Sequence, residues 1–188
     1  MKCCNLCFCF FLFALSVFGQ KWQKIETDKF TFEIPKEWMS ENENPSRVVE
    51  MKSLNLRQYA LRWDSPENES PTTWNEGMLL KIESYESLDT SPLSFEQIYE
   101  MAMANPGKTL NVKKKQVGEG LFRIEILEED MEVSMGKIKR YHSCRHVLMC
   151  YDKDLAHVVT IKCSESLQKE QPEKLKDIEY ILNSFSVK

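Results

Sequence analysis

Residues 137–163 read KIKRYHSCRHVLMCYDKDLAHVVTIKC and predict a long β-hairpin. Apolar and polar side chains alternate over Lys137–Tyr151 and again over Ala156–Cys163, which is typical of strands. The polar stretch Asp152–Leu155 lies between them and predicts the turn. We expect this turn to pair the two residues that flank it, and that register fixes every other pair of the hairpin.

The predicted register places every histidine and cysteine beyond residue 20 on one face of the hairpin, because side chains alternate along a strand. Cys144 then lies opposite Cys163, and Cys150 lies opposite His157. The complete face consists of His142, Cys144, His146, Leu148, Cys150, His157, Val159, Ile161 and Cys163. Its apolar members indicate a core face. The opposite face is expected to be the wetter one, since it carries Ser143, Arg145, Thr160 and Lys162.

Three interpretations of the histidines and cysteines stay open. Zinc and copper prefer thiolates and imidazoles, so a metal site would draw its ligands from His142, Cys144, His146, His157 and Cys163. These residues are spread along the strands at about 6.6 Å per two residues, which puts His142 too far from Cys150 to share one ion. The second interpretation is a disulfide bond between Cys144 and Cys163. The third is that all the thiols are reduced and serve as small hydrophobic core residues.

The rest of the chain predicts further strands and two amphipathic helices. One helix begins at Ser94, which forms a capping box with Gln97, and it ends before Asn105-Pro106-Gly107. The other begins at Pro172 and has a buried apolar stripe that includes Ile178. Strands are expected near Phe30–Ile34, Arg47–Met51, Leu56–Trp63, Met78–Ile82, Leu110–Val117 and Leu121–Leu127, with an acidic loop at Glu128–Glu132. Short turns join most strands, which predicts an α/β protein with a largely antiparallel sheet and helices on its faces.

The N-terminus predicts a cleavable secretory signal peptide over residues 1–19. Lys2 supplies a positive start, and the apolar run Leu6–Phe18 has the length of a signal core rather than of a membrane span. Val17 and Gly19 are small enough to precede cleavage before Gln20. We therefore expect a single domain over residues 20–188 in a periplasmic or secreted protein, with an uncleaved anchor as the alternative. Cleavage reduces the seven cysteines to three, which allows one bridge and one free thiol.

Composition and motifs exclude several classes of protein. With 42% hydrophobic and 29% charged residues, the chain has the composition of a globular protein rather than of a disordered one. A net charge of −4 gives no basic footprint for nucleic acid. The short run Lys113-Lys114-Lys115 is interpreted as a solvated strand edge, where lysines discourage edge-to-edge pairing. There is no glycine-rich phosphate loop, paired-histidine zinc helix, nucleophile elbow or Cys-x-x-Cys motif, so the sequence assigns no catalytic residue and no cofactor.

The order of features resembles a known superfamily. Phe30–Trp38 follows the pattern Phe-x-Phe-x-Ile-Pro-x-x-Trp, a mid-chain helix starts at Ser94-Phe95-Glu96-Gln97-Ile98, and the last helix ends in Ile181-Leu182-Asn183-Ser184-Phe185. With the exported leader and the long hairpin, these features resemble the PsbP-like superfamily, which includes the photosystem II extrinsic protein, Ran-binding Mog proteins and small exported bacterial proteins. The resemblance implies a three-layer α/β/α sandwich around an antiparallel sheet and a binding or accessory role. It transfers no active-site residue.

Three functional hypotheses follow. The leading one is an exported, non-catalytic binding or accessory protein of the bacterial cell envelope, whose partner is a protein or a small ligand. An empty groove lined by apolar side chains would favour this hypothesis. The second is a hydrolase-type enzyme that uses scattered carboxylates and histidines, which requires two carboxylates to converge in a pocket with shifted pKa values. The third is a metal-handling protein, which requires at least three of the candidate ligands to meet.

Overall fold

The computed structural model describes residues 21–40, 47–66, 77–104, 107–134 and 137–188. The predicted signal peptide over residues 1–19 and the expected cleavage site before Gln20 lie outside these ranges. In the described part of the chain, no helix is long and apolar enough to cross a membrane.

The described residues form strands for the most part. The strands are β1 (Trp22–Glu26), β2 (Phe30–Pro35), β3 (Met39–Ser40), β4 (Arg47–Met51), β5 (Leu56–Asp64), β6 (Met78–Ser87), β7 (Lys108–Gly118), β8 (Leu121–Ser134), β9 (Lys137–Tyr151), β10 (Leu155–Ser164) and β11 (Ser186–Val187). The helices are α1 (Phe95–Met103), α2 (Glu165–Glu170) and α3 (Pro172–Ser184), and a 3-10 turn covers Lys52–Leu54.

The chain divides into two compact units. Within the described ranges, the first takes residues 21–36 and Ser184–Lys188, and the second takes the residues between Glu37 and Asn183. In the first unit β1, β2 and β11 form a three-stranded antiparallel sheet. The rings of Phe30 and Phe185 pack with their centroids 5.2 Å apart, which joins the end of the chain to β2. The division into two compact units does not test whether residues 20–188 form one domain, and that statement stays a prediction.

The second unit contains the large sheet, whose strands lie in the order β3-β5-β6-β10-β9-β8-β7, with β4 paired to β5. All of its described pairings are antiparallel. The predicted largely antiparallel sheet is therefore confirmed. The turn between β7 and β8 contains Gly120, which has a φ of +61°, and a Cβ atom there would lie 2.1 Å from the Tyr151 carbonyl oxygen. Only glycine fits that position.

Helix α1 covers one face of the large sheet. Ser94 caps the helix by accepting a hydrogen bond from the Gln97 amide at 3.3 Å, as its spacing predicts. Ile98 and Ala102 are buried from the helix side, 0% and 4% exposed. The sheet side, called the α1 face from here on, presents Ile124, Ile126, Val147, Met149, Ala156 and Val158.

The opposite face carries the cysteines and histidines and is called the cysteine face, defined by Cys144, His146, Cys150, His157 and Cys163. Helix α2 lies against β9 and β10. Ser164 caps α2 by accepting from the Leu167 amide at 3.0 Å. At the end of α3, the Asn183 side chain accepts a hydrogen bond from Arg123 of β8 at 2.6 Å. Helix α2 and the end of α3 therefore contact strands β8, β9 and β10.

The prediction of an acidic loop at Glu128–Glu132 is wrong, because β8 continues through it to Ser134. Its first acidic residue, Glu128, has no exposed surface and lies beside Arg145. Asp130 is 5% exposed, accepts from the Ser143 hydroxyl at 2.5 Å and pairs with Lys162 at 2.8 Å. Charged partners on neighbouring strands replace the water that these carboxylates lose, so an acidic run can lie inside a strand.

The face that was predicted to be the wetter one is buried at two of its polar residues. Ser143 and Arg145 are 1% and 7% exposed. The Arg145 guanidinium donates to the carbonyl oxygens of Ala102 at 2.9 Å and of Met103 at 3.1 Å, which are the last residues of α1. Arg145 is therefore a buried cation that caps the end of α1, whereas Thr160 and Lys162 of the same face stay partly exposed.

Candidate binding groove

The β9–β10 hairpin has the register that the sequence predicts. Tyr151 pairs with Ala156, Cys150 with His157, and Cys144 with Cys163. The Asp152 amide donates to the Leu155 carbonyl at 2.9 Å and closes the turn. The prediction that the two cysteines lie opposite each other is therefore confirmed.

His157 lies deep in the sheet. It is 1% exposed, and its Nδ1 is 2.7 Å from the Ser84 hydroxyl on the neighbouring strand β6, which is itself 2% exposed. A substrate has no access to a serine–histidine pair at this depth. The pair is therefore an interior hydrogen bond of the cysteine face.

His146 lies nearer the surface, below helix α2. The side-chain amide of Gln168 donates to His146 Nε2 at 2.5 Å and to the Cys163 sulfur at 3.3 Å. Burial lowers the pKa of His146 from its ordinary value. The histidine is therefore a neutral hydrogen-bond acceptor whose orientation is fixed by Gln168.

Two adjoining pockets share Glu125 and His146 and form one groove across β7, β8 and β9. The Gln168 pocket has a volume of about 230 Å³ and is lined by Asn111, Lys113, Glu125, Ile126, Leu127, Cys144, Arg145, His146, Glu165, Gln168 and Lys169. The Asn183 pocket has a volume of about 360 Å³ and is lined by Lys115, Val117, Arg123, Ile124, Glu125, His146, Val147, Glu179, Leu182 and Asn183. Helix α2 borders the first pocket and helix α3 borders the second.

The rim of the groove carries charges of both signs. Lys113 and Glu125 approach to 3.5 Å with side chains 73% and 56% exposed, and Lys169 pairs with Glu165 at 2.8 Å. Exposed pairs of this kind contribute little to stability and exchange partners readily. Below the charged rim the lining also contains apolar side chains, among them Leu127 in the first pocket and Leu182 in the second, so the groove is of mixed character.

The thiols of the cysteine face are held in their protonated form. Burial, with smaller contributions from Cys163, Glu165 and Glu125, raises the pKa of Cys144 to about 11. Burial also raises the pKa of Cys150 to about 11 and that of Cys163 from its ordinary value. Because the thiolate is both the nucleophile and the metal ligand, the thiols are unreactive near neutral pH.

The five residues considered as metal ligands do not converge. Within the described ranges, no three residues of the His, Cys, Asp and Glu types are placed to hold an ion together. His142 is 3.3 Å from Glu165 at the exposed end of β9, His146 bonds Gln168, and His157 bonds Ser84. The condition set for a metal-handling protein is therefore not met among these residues.

The Cys144–Cys163 disulfide stays a prediction, and the structure contains both residues as free thiols. Residues directly opposite in an antiparallel pair have Cα atoms about 4.5–5.5 Å apart, within the range that a disulfide needs. Oxidation would close a loop of about twenty residues, and we expect it to raise the free energy of unfolding by roughly 3 kcal/mol in the chain-entropy description.

Urea unfolding of the oxidised and reduced protein measures this gain, and non-reducing peptide mapping identifies the bond. A Cys150→Ala variant is the control, since it removes the third thiol and leaves the pair intact. If oxidised glutathione at alkaline pH links no peptide containing Cys144 to one containing Cys163, the bridge is wrong and the thiols are core residues.

Stability should depend on the pH through His146. The unfolded chain takes up a proton near the ordinary imidazole pKa of about 6.5, whereas the folded protein takes it up only at a lower pH. Stability from this residue is therefore fully present above pH 6.5 and is lost as the pH falls below it, by at most about 1.4 kcal/mol per pH unit. Urea unfolding at several pH values measures the loss. A His146→Gln variant, which lacks the titrating group, should show a smaller loss, and an equal loss in both proteins would contradict the assignment.

Sequence reasoning found His146, Cys144 and Cys163 but missed most of the rim. The residues that it missed are Lys169 and Gln168 on α2, Glu125 and Arg123 on β8, and Glu179 and Asn183 on α3. Helix α2 was overlooked because six residues are too short to show a helical period. Its usable signal was Ser164 followed by Glu165, an N-cap residue before an acidic first turn.

No family model and no curated protein matches the chain. Among solved structures it is similar to a protein from Bacteroides thetaiotaomicron, with a TM-score of 0.47, 9% identity, and coverage of 90% of this chain and 49% of that one. The chain therefore spans about half the length of that protein.

Two further solved structures match along nearly their whole length. The Ran-binding protein Mog1p of Saccharomyces cerevisiae has a TM-score of 0.45 and 15% identity over 90% of this chain and 96% of that one. Cyanobacterial PsbP of Synechocystis has a TM-score of 0.38 and 10% identity over 92% and 96%. The chain is thus similar in structure to members of the superfamily that its sequence resembles, and at these values the similarity assigns no function.

Proposed function

We propose that this chain is an exported, non-catalytic binding or accessory protein of the bacterial cell envelope, and that the groove is its binding site. The observation that carries the proposal is the pair of adjoining pockets at Glu125 and His146. Their rim offers cations, carboxylates and amides together, which suits a polar small ligand or a segment of a partner protein.

The chemistry of the groove supports binding over hydrolysis. Burial raises the pKa of the Cys144 thiol to about 11, so this residue is a poor nucleophile. Hydrogen bonds from Lys169 and His142 lower the pKa of Glu165, whereas a general acid needs a raised one. The hydrolase alternative requires two convergent carboxylates with pKa values shifted apart, and these groups do not supply them.

We propose in addition that the layers follow the superfamily arrangement, with α1 on one face of the large sheet and α2 with α3 on the other. The contacts of α1 with the α1 face and of Gln168 with His146 and Cys163 support this three-layer arrangement. It leaves the groove open beside β7, since α2 and α3 border only one side of it.

A fragment screen followed by amide chemical shifts tests the binding site. We expect polar fragments to shift the amides of Glu125, His146 and Gln168 together, without being turned over. Fragments that cluster on another surface would refute the groove. Turnover that disappears in a His146→Ala variant would favour the enzyme alternative instead.

Export predicts a defined mature N-terminus. If residues 1–19 are removed, the exported protein begins at Gln20 and its intact mass falls by the mass of those residues. Mass spectrometry of protein recovered from the periplasm or the medium of a bacterial host measures this. A mass that retains Met1–Gly19 would show that the segment is not a cleaved signal.

A further inference from the structure

Strand β7 is the last strand of the large sheet, and its outer edge carries no partner strand in the described part of the chain. All eleven of its residues are exposed. An edge of unpaired N–H and C=O groups can accept another strand. Register shifts lie between Thr109 and Asn111 and between Gln116 and Gly118, so the regular part of this edge is residues 111–116.

The three lysines of this edge differ in their surroundings. Lys114 points toward α1, where its ammonium lies 4.3 Å from the ring centroid of Tyr99 and 4.7 Å from that of Phe95. These cation–π contacts hold it in the fold. Lys113 and Lys115 point to the other side, where they line the two pockets of the groove.

The charge of the β7 edge favours an acidic partner strand over a second copy of this chain. Residues 108–118 contain no acidic residue. Antiparallel pairing with a second copy, centred on Lys114, would place Lys113 opposite Lys115 and bring like charges together. An extended segment with carboxylates at alternate positions would instead meet both lysines on one face, since residues two apart on a strand are about 6.6 Å apart.

We propose that β7 binds an extended acidic segment of a partner protein by strand addition, with two carboxylates at alternate positions facing Lys113 and Lys115. This inference rests on the proposed function and names the partner class of the same groove. The backbone edge supplies hydrogen bonds, and the pockets receive the side chains that the added strand directs to the cysteine face.

The test titrates the protein, expressed from the full chain, with a synthetic peptide of alternating threonine and glutamate. Amide shifts and hydrogen exchange are recorded. We expect shifts and slowed exchange over residues 111–116. A peptide of the same composition with its glutamates adjacent should bind about tenfold more weakly, because only one carboxylate can then face the lysines. Methylating alternate backbone amides of the first peptide should abolish binding, since its charge is kept and its pairing is blocked.

Charge reversal gives the decisive comparison. The double variant Lys113→Glu, Lys115→Glu should bind the acidic peptide at least about tenfold more weakly than the unchanged protein does. It should also bind a peptide of alternating threonine and lysine, which the unchanged protein does not. The matched control Lys52→Glu, Lys176→Glu changes the net charge equally at exposed positions outside β7 and should retain the acidic peptide. If the charge-reversed variant does not fold, the neutral double variant Lys113→Gln, Lys115→Gln takes its place in the comparison.

Three results would overturn the inference: equal affinity for both glutamate spacings, undiminished binding of the methylated peptide, or dimerisation of the protein through β7. Such a failure is separable from failure of the proposed function. The fragment screen monitors the amide shifts of Glu125, His146 and Gln168 inside the groove, whereas the peptide titration monitors the amide shifts and hydrogen exchange of residues 111–116.

Discussion

Replacing Arg145 with methionine is expected to lower the free energy of unfolding by about 3–5 kcal/mol. The guanidinium donates to Glu128 through Nε at 2.9 Å and through a terminal nitrogen at 2.5 Å, and both residues are buried. Its other hydrogen bonds reach the last carbonyl oxygens of α1, on Ala102 and Met103. The variant leaves a buried carboxylate without its cation and the helix end without its donors, and urea unfolding measures the cost.

Two comparisons isolate the cause. Arg145→Met combined with Glu128→Leu removes both charges and should recover most of the loss, because the isolated carboxylate is the main penalty. Arg57→Met breaks an exposed pair with Glu50, whose side chains are 40% and 45% exposed, and should cost less than about 1 kcal/mol. A loss below about 1 kcal/mol for Arg145→Met would mean that the pair is solvated and that α1 is not fixed there.

Shortening Ile98 or Ile178 to alanine is expected to cost about 2–5 kcal/mol at each position. Ile98 is 0% exposed on α1, and Ile178 is 1% exposed on α3. Each substitution removes buried methyl and methylene groups and leaves a cavity. Urea unfolding of the single variants measures both losses.

The matched control lies on the same helix as Ile178. Tyr180→Ala removes a larger side chain that is 42% exposed, and it should cost less than either isoleucine substitution. Losses below about 1 kcal/mol at both isoleucines would show that the helices do not bury the stripes assigned to them.

Local rules were sufficient for the hairpin. Its register follows from a polar turn between two alternating strands, and it was predictable because one residue of slippage would turn every apolar side chain to the wrong face. The capped start of α1 at Ser94 was predictable for a similar reason, since the cap and the first amides lie within four residues. Short-range geometry therefore fixed the positions of Cys144, His146 and Cys163.

Long-range pairing was not predictable from one sequence. Glu128 was part of the predicted acidic loop, and Arg145 was part of the face that was predicted to be the wetter one. Both residues are buried in the sheet, because each neutralises the charge of the other. The groove was missed for the same reason. Its rim joins Lys113 and Glu125 from two strands to Lys169 on a helix too short to show a period, and only the folded sheet brings them together.

The most direct test of the groove as the binding site uses the fragments identified in the screen. Their affinity is measured for a variant in which a bulky side chain obstructs the groove. Lys169→Trp places an indole at the mouth of the Gln168 pocket and breaks only an exposed pair, whereas Glu170→Trp adds the same group at the next position, which does not line the pocket. We predict that Lys169→Trp weakens the fragments by about tenfold or more while Glu170→Trp leaves their affinity unchanged. Equal affinities for the two variants would contradict the assignment of the groove.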